Sequence, residues 1–241
     1  MIAVFVNCIA VIAGSVIGLL FAKKFTEELS DMIQTACGII TMVLGIQMAF
    51  KYDSIVYLAL SLIIGAIIGY ALKIDNHILN LGKKLEKLTI KNNSKQSGEA
   101  DSKNNFAYAF LNSSVLFCVG AMSIVGSFKA GVDHDYSIIF TKSILDGFMA
   151  ISFAAAMGIG TAFSVIIILI YQGALTLLSS VLQPYVSELL INEVSACGGA
   201  IIIMIGLNLL GLKKIKTANF LPALVVEIIF VIAVPFVKNL F

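Results

Sequence analysis

Apolar residues in this chain come in long unbroken runs separated by short polar segments. They show neither the strict alternation of a half-buried strand nor the one-sided stripe of a soluble helix. Eight runs each approach the roughly 20 residues a helix needs to cross bilayer hydrocarbon. They are Ile2–Ala22, Met32–Phe50, Ser54–Leu72, Phe106–Phe128, Ser137–Met157, Thr161–Leu182, Ser195–Leu212 and Phe220–Val237. Only helices and closed barrels satisfy their backbone polar groups in lipid, and barrel strands alternate. The pattern therefore predicts an all-α polytopic membrane bundle, a single integral membrane domain over residues 1–241. The fifth and sixth runs are parted by Gly158 and Gly160 with no charge between them, so two full spans or one long broken helix both fit. The first run starts at Met1 with no basic segment ahead of it, which reads as a retained helix rather than a cleaved signal.

Between the third and fourth runs the pattern changes. Residues 74–105 read as a cytoplasmic amphipathic helix followed by a flexible linker. Ile74, Ile78, Leu81, Leu85 and Leu88 fall near helical spacing with lysines between them, as in a helix lying at the membrane interface or in a solvated helix end. Lys91–Asn105 has almost no apolar residue.

Composition agrees with the membrane reading. Hydrophobic residues make up 59% of the 241 and charged residues 12%, where a soluble globule has about 25% charged. Net charge is +2 and every basic residue is Lys, which is no nucleic-acid signature. With both termini outside, the inner loops collect twelve of the sixteen lysines, the asymmetry that membrane insertion favours. Cys8, Cys37, Cys118 and Cys197 lie in apolar runs without CxxC spacing and read as small buried residues.

Polar residues inside the runs are the candidate chemistry, because an ionisable group at a helix centre costs about 2.5–3.5 kcal/mol on insertion scales. Lys142 and Asp146 are four apart and share a helix face. The plain reading is a lysine snorkelling outward with the acid paired to it or capping; the functional reading is a carboxylate that binds a ligand or carries a proton, with Asp146-Gly147 marking a local distortion. Glu227 sits mid-run in the eighth span with no charge for ten residues on either side. Gln172, Gln47, Asn208 and Asn7 either hydrogen-bond helix to helix or line one polar cavity, together with Asn112, Ser113, Ser114 and Ser123. Pro222 and Pro235 are candidate kinks in the last helix. No Walker A pattern, HExxH or Ser–His–Asp set is present, His77 and His134 have no partner at metal-ligand spacing, and the loops are thin. The expectation is a non-enzyme without cofactor or metal.

Small residues recur at four-residue spacing in Ala10/Gly14/Gly18, Gly65/Gly69 and Ala150/Ala154/Gly158, ridges that let helices approach closely. Gln34–Met48 and Ser195–Leu209 also read alike: with Gln34 set on Ser195, Gly38 meets Gly199, Gly45 meets Gly206 and Gln47 meets Asn208. Spans one to three and six to eight would then be inverted repeats, a plan common in secondary transporters. Chance likeness between Gly-rich helices is the alternative.

The strings VNCIAVIAGSVIG (Val6–Gly18), CVGAMSIVGS (Cys118–Ser127), KSILDG (Lys142–Gly147), YQGALT (Tyr171–Thr176), GLNLLGLKKIK (Gly206–Lys216) and ANFLPA (Ala218–Ala223) resemble the YqgA/YdfK-like proteins, a family known as a domain of unknown function. The strings span nearly the whole chain in the family's order. Ala121 departs from the Pro expected after CVG, which would soften a kink there. The resemblance implies a polytopic bacterial inner-membrane protein and names no substrate.

Taken together, the sequence predicts a secondary transporter or facilitator of a small solute or ion. Asp146 and Glu227 would be its coupling or binding carboxylates, and Lys142, Gln172, Gln47, Asn208 and Asn7 its polar lining. Its partners would be the lipid bilayer and that solute; the glycine ridges would permit a homodimer. The alternatives are a non-transporting assembly, sensor or structural protein, whose polar residues act as interhelical glue, and an oligomeric channel.

Overall fold

The structure is a computed structural model that describes residues 1–22, 26–77, 80, 101–182, 184 and 186–238. Most of the amphipathic segment and linker expected over 74–105 lies outside the described residues. The helices are α1 (Ile2–Ala22), α2 (Glu27–Ala49), α3 (Ile55–Ala71), α4 (Asp101–Cys118), α5 (Ala121–Val132), α6 (Ser137–Met157), α7 (Gly160–Leu177), the single turn α8 (Ser179–Leu182), α9 (Glu188–Leu209) and α10 (Pro222–Lys238). A 3-10 turn over Thr217–Phe220 precedes α10, and no described residue is in a strand.

Helix starts follow local chemistry. Thr26, Ser54 and Ser187 each accept the backbone N–H three residues on, at Leu29, Tyr57 and Leu190, the N-cap bond that satisfies an otherwise orphaned donor. Asp135 Oδ1 accepts from Ser137 N at the head of α6. These bonds hold the Asp135 carboxyl below the usual carboxylate range. Pro222 takes the first position of α10, where its missing N–H costs nothing, and the helix runs on through Pro235.

Among the described residues, five helices are individually long and apolar enough to cross a membrane: Ile2–Ala22, Asp31–Ala49 within α2, α6, α7 and α9. The fourth predicted span is a bent pair, α4 and α5, meeting at 59°. The bend falls at Gly120, whose φ of +134° is open only to glycine. The break therefore needs no proline, and Ala121 does not soften it. α3 and α10 have 17 residues each, the short end of the spanning range. Helices thus stand at all eight predicted places, with shifted ends. α4 begins at Asp101, inside the expected linker, and α9 begins at Glu188, ahead of the expected Ser195.

The exterior is apolar and the interior carries the polar groups. α1 exposes Ile2, Phe5, Ile9, Leu20 and Phe21 while burying Asn7 and Ser15, the reverse of a soluble protein and the arrangement lipid requires. Glycines set the closest crossings. A Cβ built at Gly14 would land on the Gly147 carbonyl oxygen, and one at Gly18 on that of Ile151. The contacts step in the same sense, so α1 and α6 run parallel with backbones touching. Asp146-Gly147 thus marks a close approach within a continuous helix rather than a distortion. Gly65 meets Ala223 and Gly69 meets Asn219, so α3 and α10 run antiparallel. α2 crosses α9 antiparallel, with Gly45 against Gly199 and Gly38 against Gly206, and Gln34 Nε2 ties this pair by donating to Leu209 O at 3.0 Å.

Candidate functional site

Four of the seven residues singled out from the sequence meet in one buried cluster between α1, α6 and α7. Asn7 Nδ2 donates to Asp146 Oδ2 and to Gln172 Oε1, both at 3.1 Å. Lys142 Nζ donates to the same Asp146 oxygen as a buried ion pair. Asn7 and Gln172 are fully buried, Lys142 is 6% exposed and Asp146 7%. Lys142 therefore does not snorkel: the acid one turn deeper holds it inside.

Helix geometry explains why these groups meet. Asp146 lies as far before Gly158 as Gln172 lies after Gly160, about 18 Å along each helix at 1.5 Å per residue. Both accept from one nitrogen of Asn7, so α6 and α7 must fold back on each other. Gly158, with φ +89°, makes the reversal in the two-residue connection, and two helices, rather than one broken helix, result. α1 lies between them. Its Cys8 Sγ reaches Val165 O at 4.0 Å, and Gly147 lets α1 approach closely enough for the short Asn7 side chain to reach Asp146.

The cluster is neutral but incompletely satisfied. Asn7 Oδ1 and Gln172 Nε2 have no protein partner, leaving one acceptor and one donor for a ligand group. With the ion pair, the cluster holds one charge of each sign beside an orphaned donor and an orphaned acceptor.

Glu227 lies elsewhere, in the α3–α9–α10 group. It is fully buried and neither carboxyl oxygen has a partner within hydrogen-bond geometry. Beside it stand Ser61 of α3 and Glu193 of α9. Glu193, also fully buried, accepts from Ser54 N at 2.7 Å through Oε1. Glu193 falls two residues ahead of the apolar run Ser195–Leu212 and so does not stand out in the sequence as an intramembrane acid. Leu189, Leu190 and Ile191 ahead of it were the available sign that the helix had already begun.

The other candidates do not join either group. Gln47 lies exposed on α2. Asn208 clamps the chain leaving α9: its Oδ1 accepts from Ile215 N at 2.7 Å and its Nδ2 donates to Ile215 O at 2.9 Å. Asn208→Ala should cost about 1–3 kcal/mol, read as a lower unfolding temperature, and leave the Asn7 cluster unchanged. Asn112 Nδ2 reaches Met157 Sδ at 3.9 Å, Ser113 Oγ donates to Thr161 Oγ1, and Ser114 and Ser123 bond backbone carbonyls of Phe110 and Phe117. These bonds are interhelical or local, and none of them involves Asn7.

A polar hollow of about 240 Å³ opens where α3 ends against the Thr217–Phe220 turn, lined by Tyr70, Lys73, Asp75, Asn76, Lys216 and Asn219. Asp75 N donates to Asn219 Oδ1 at 3.0 Å. Burial pushes the Asp75 carboxyl above the usual range, with the Lys216 ammonium opposing the shift.

A family model described as a protein of unknown function (DUF554) matches residues 2–232. The chain is 34% identical over 232 residues to the uncharacterised membrane protein YdfK of Bacillus subtilis (strain 168), covering 94% of each chain. It is 29% identical over 220 residues to the uncharacterised protein YqgA of Escherichia coli (strain K12), covering 91% of this chain and 92% of that protein. No solved structure matches the chain. The likeness carried by the sequence motifs thus extends over nearly the whole chain, and the cluster residues Asn7, Lys142, Asp146 and Gln172 all fall within the matched span.

Proposed function

We propose that this chain, which belongs to the DUF554 family of proteins of unknown function, is a secondary transporter or facilitator that carries a small solute or ion across the bacterial inner membrane. The observation that carries the reading is the buried Lys142–Asp146 ion pair, bonded through Asn7 to Gln172 among three membrane helices, at the centre of α6 and more than a turn inside the ends of α1 and α7. Charges at that depth are costly, and removing both for apolar residues of similar size is often neutral or stabilising. A bundle with only a packing task has no need of them. Unpaired polar atoms on Asn7 and Gln172 give a solute somewhere to bind.

Two further features support the reading. The glycines equated by the sequence likeness are the ones at the α2–α9 crossing: Gly38 faces the counterpart of Gly45, and Gly45 faces the counterpart of Gly38. A two-fold axis in the membrane plane would place them so, as in inverted-repeat transporters. The lysine distribution fits both termini outside.

The test is flux in proteoliposomes. Candidate solutes and ions are presented under a proton gradient to the wild type and to Asp146→Asn, which keeps the side-chain size and removes the charge. Uptake by the wild type, reduced at least tenfold in Asp146→Asn when both are compared per amount of folded protein, is the expected result. Equal uptake by both would remove Asp146 from the mechanism. The rival reading, interhelical glue, is favoured by Asn7 joining all three helices, and it predicts lost stability without any flux to lose.

A further inference from the structure

The α3–α9–α10 group contains a second buried charge problem that the Lys142–Asp146 pair does not address. Glu193 and Glu227 stand side by side inside the helix bundle, each fully buried. The titratable groups facing Glu227 are Glu193 and Cys197, one turn apart on α9. From α3 come the hydroxyl of Ser61 and, one turn away, Tyr57, whose ring stacks on Phe230 at 5.9 Å; the Thr217–Phe220 turn contributes no titratable side chain. No Lys faces the pair among these groups. Two adjacent carboxylates cannot both ionise in a low-dielectric site. One must hold a proton, or a cation must sit between them.

The surroundings distinguish the two acids. Glu193 Oε1 accepts the Ser54 backbone N–H at the cap of α3 at 2.7 Å, so that oxygen is already engaged as an acceptor. Neither oxygen of Glu227 has a partner in hydrogen-bond geometry, and the groups beside it are Ser61 and Glu193. Ser61 is fully buried and its hydroxyl has no partner. The antiparallel register of α3 on α10, fixed by Gly65 at Ala223 and Tyr57 at Phe230, sets it level with Glu227. Ser54 and Ser61 are two turns apart on α3, about 10 Å. The acids therefore form a step from the Ser54 end of the helix toward mid-depth.

We infer that Glu193 and Glu227 form a proton-binding site, with the proton resident on Glu227 and Glu193 the acceptor through which it exchanges toward the Ser54 end. Protonation of Glu227 supplies the missing donor for Glu193 Oε2 and leaves the other Glu227 oxygen to accept from the Ser61 hydroxyl, which would satisfy atoms that now have no partner. On release, the proton passes from Glu227 to Glu193 and then to water at the cap of α3. The proton site stands on its own geometry; its use as the coupling ion rests on the transport reading above.

Infrared spectroscopy of the protein in lipid nanodiscs tests this through the C=O stretch of protonated carboxyls, recorded against pH in H2O and D2O. The wild type should show such a band at neutral pH and lose it on alkaline titration. Glu227→Gln should lack that band. Glu193→Gln should keep it at a shifted frequency, because the O–H has lost its carboxylate acceptor. A wild type without the band, or a band unchanged in both variants, overturns the site, and the wild-type spectrum decides even where a variant fails to fold. Loss of the band on adding Na+ at fixed pH would overturn it in favour of a metal cation. A band that behaves as expected beside absent flux leaves the proton site standing and removes the transport reading.

Discussion

Lys142→Met should destabilise the folded chain by about 3–5 kcal/mol, because it leaves the Asp146 carboxylate buried without its counter-ion. Asp146→Leu should do comparable damage from the other side. The double substitution should recover most of the loss, since two apolar side chains of similar volume demand no desolvation of charge. Asn7 limits the recovery: in the double variant its Nδ2 keeps only the Gln172 acceptor. Unfolding can be followed with a thiol-reactive dye, as all four cysteines are free and buried and the chain contains no Trp. Function should separate from stability here: the double variant is expected to fold and to transport nothing. Additive losses in the double variant would mean that Lys142 and Asp146 do not act as a pair.

Gly14→Val carries the second large effect. Its Cβ alone would collide with the Gly147 carbonyl oxygen and approach the Ala150 methyl at 3.2 Å. Backbone cannot yield as a flexible side chain can, so α1 must move off α6. Overpacking of this kind costs about 1–3 kcal/mol, and moving α1 also draws Asn7 away from Asp146 and Gln172. Gly14→Val should therefore lower the unfolding temperature and abolish flux together. Gly173→Ala is the matched control next to the cluster, because its nearest neighbour is the terminal methyl of Met1 at 3.5 Å. It should leave both properties near wild type.

Much of the fold was legible because lipid tolerates so few solutions. A run of apolar residues near 20 long must be helical, and helices stand where all eight runs lie. Depth was harder to read at polar ends. Glu188 and Glu193 read as loop residues, yet α9 begins at Glu188 because Ser187 caps it. Facing was the least legible property. In a soluble helix a polar stripe reveals the outer side, but here the lipid face and the core face are both apolar. Gln47 and Asn7 thus look equivalent in the sequence, although one is exposed and the other fully buried. Asn7, Lys142, Asp146 and Gln172 were each visible as intramembrane polar residues. That they converge depends on the reversal at Gly158 and on the close approach at Gly14, which spacing alone does not encode.

The central claim is that the Asn7–Asp146–Gln172 cluster is the point to which each side of the membrane has access in turn. Cysteine accessibility measures this directly. Asn7→Cys and Gln172→Cys are introduced separately into a chain whose four native cysteines are replaced by Ala, reconstituted, and exposed to a membrane-impermeant thiol reagent from one face at a time. Labelling of the same position from either face, slowed when a transported solute locks one state, is the result the account predicts. Labelling from neither face, with the protein folded, would contradict it and identify the cluster as the buried tie between α1, α6 and α7.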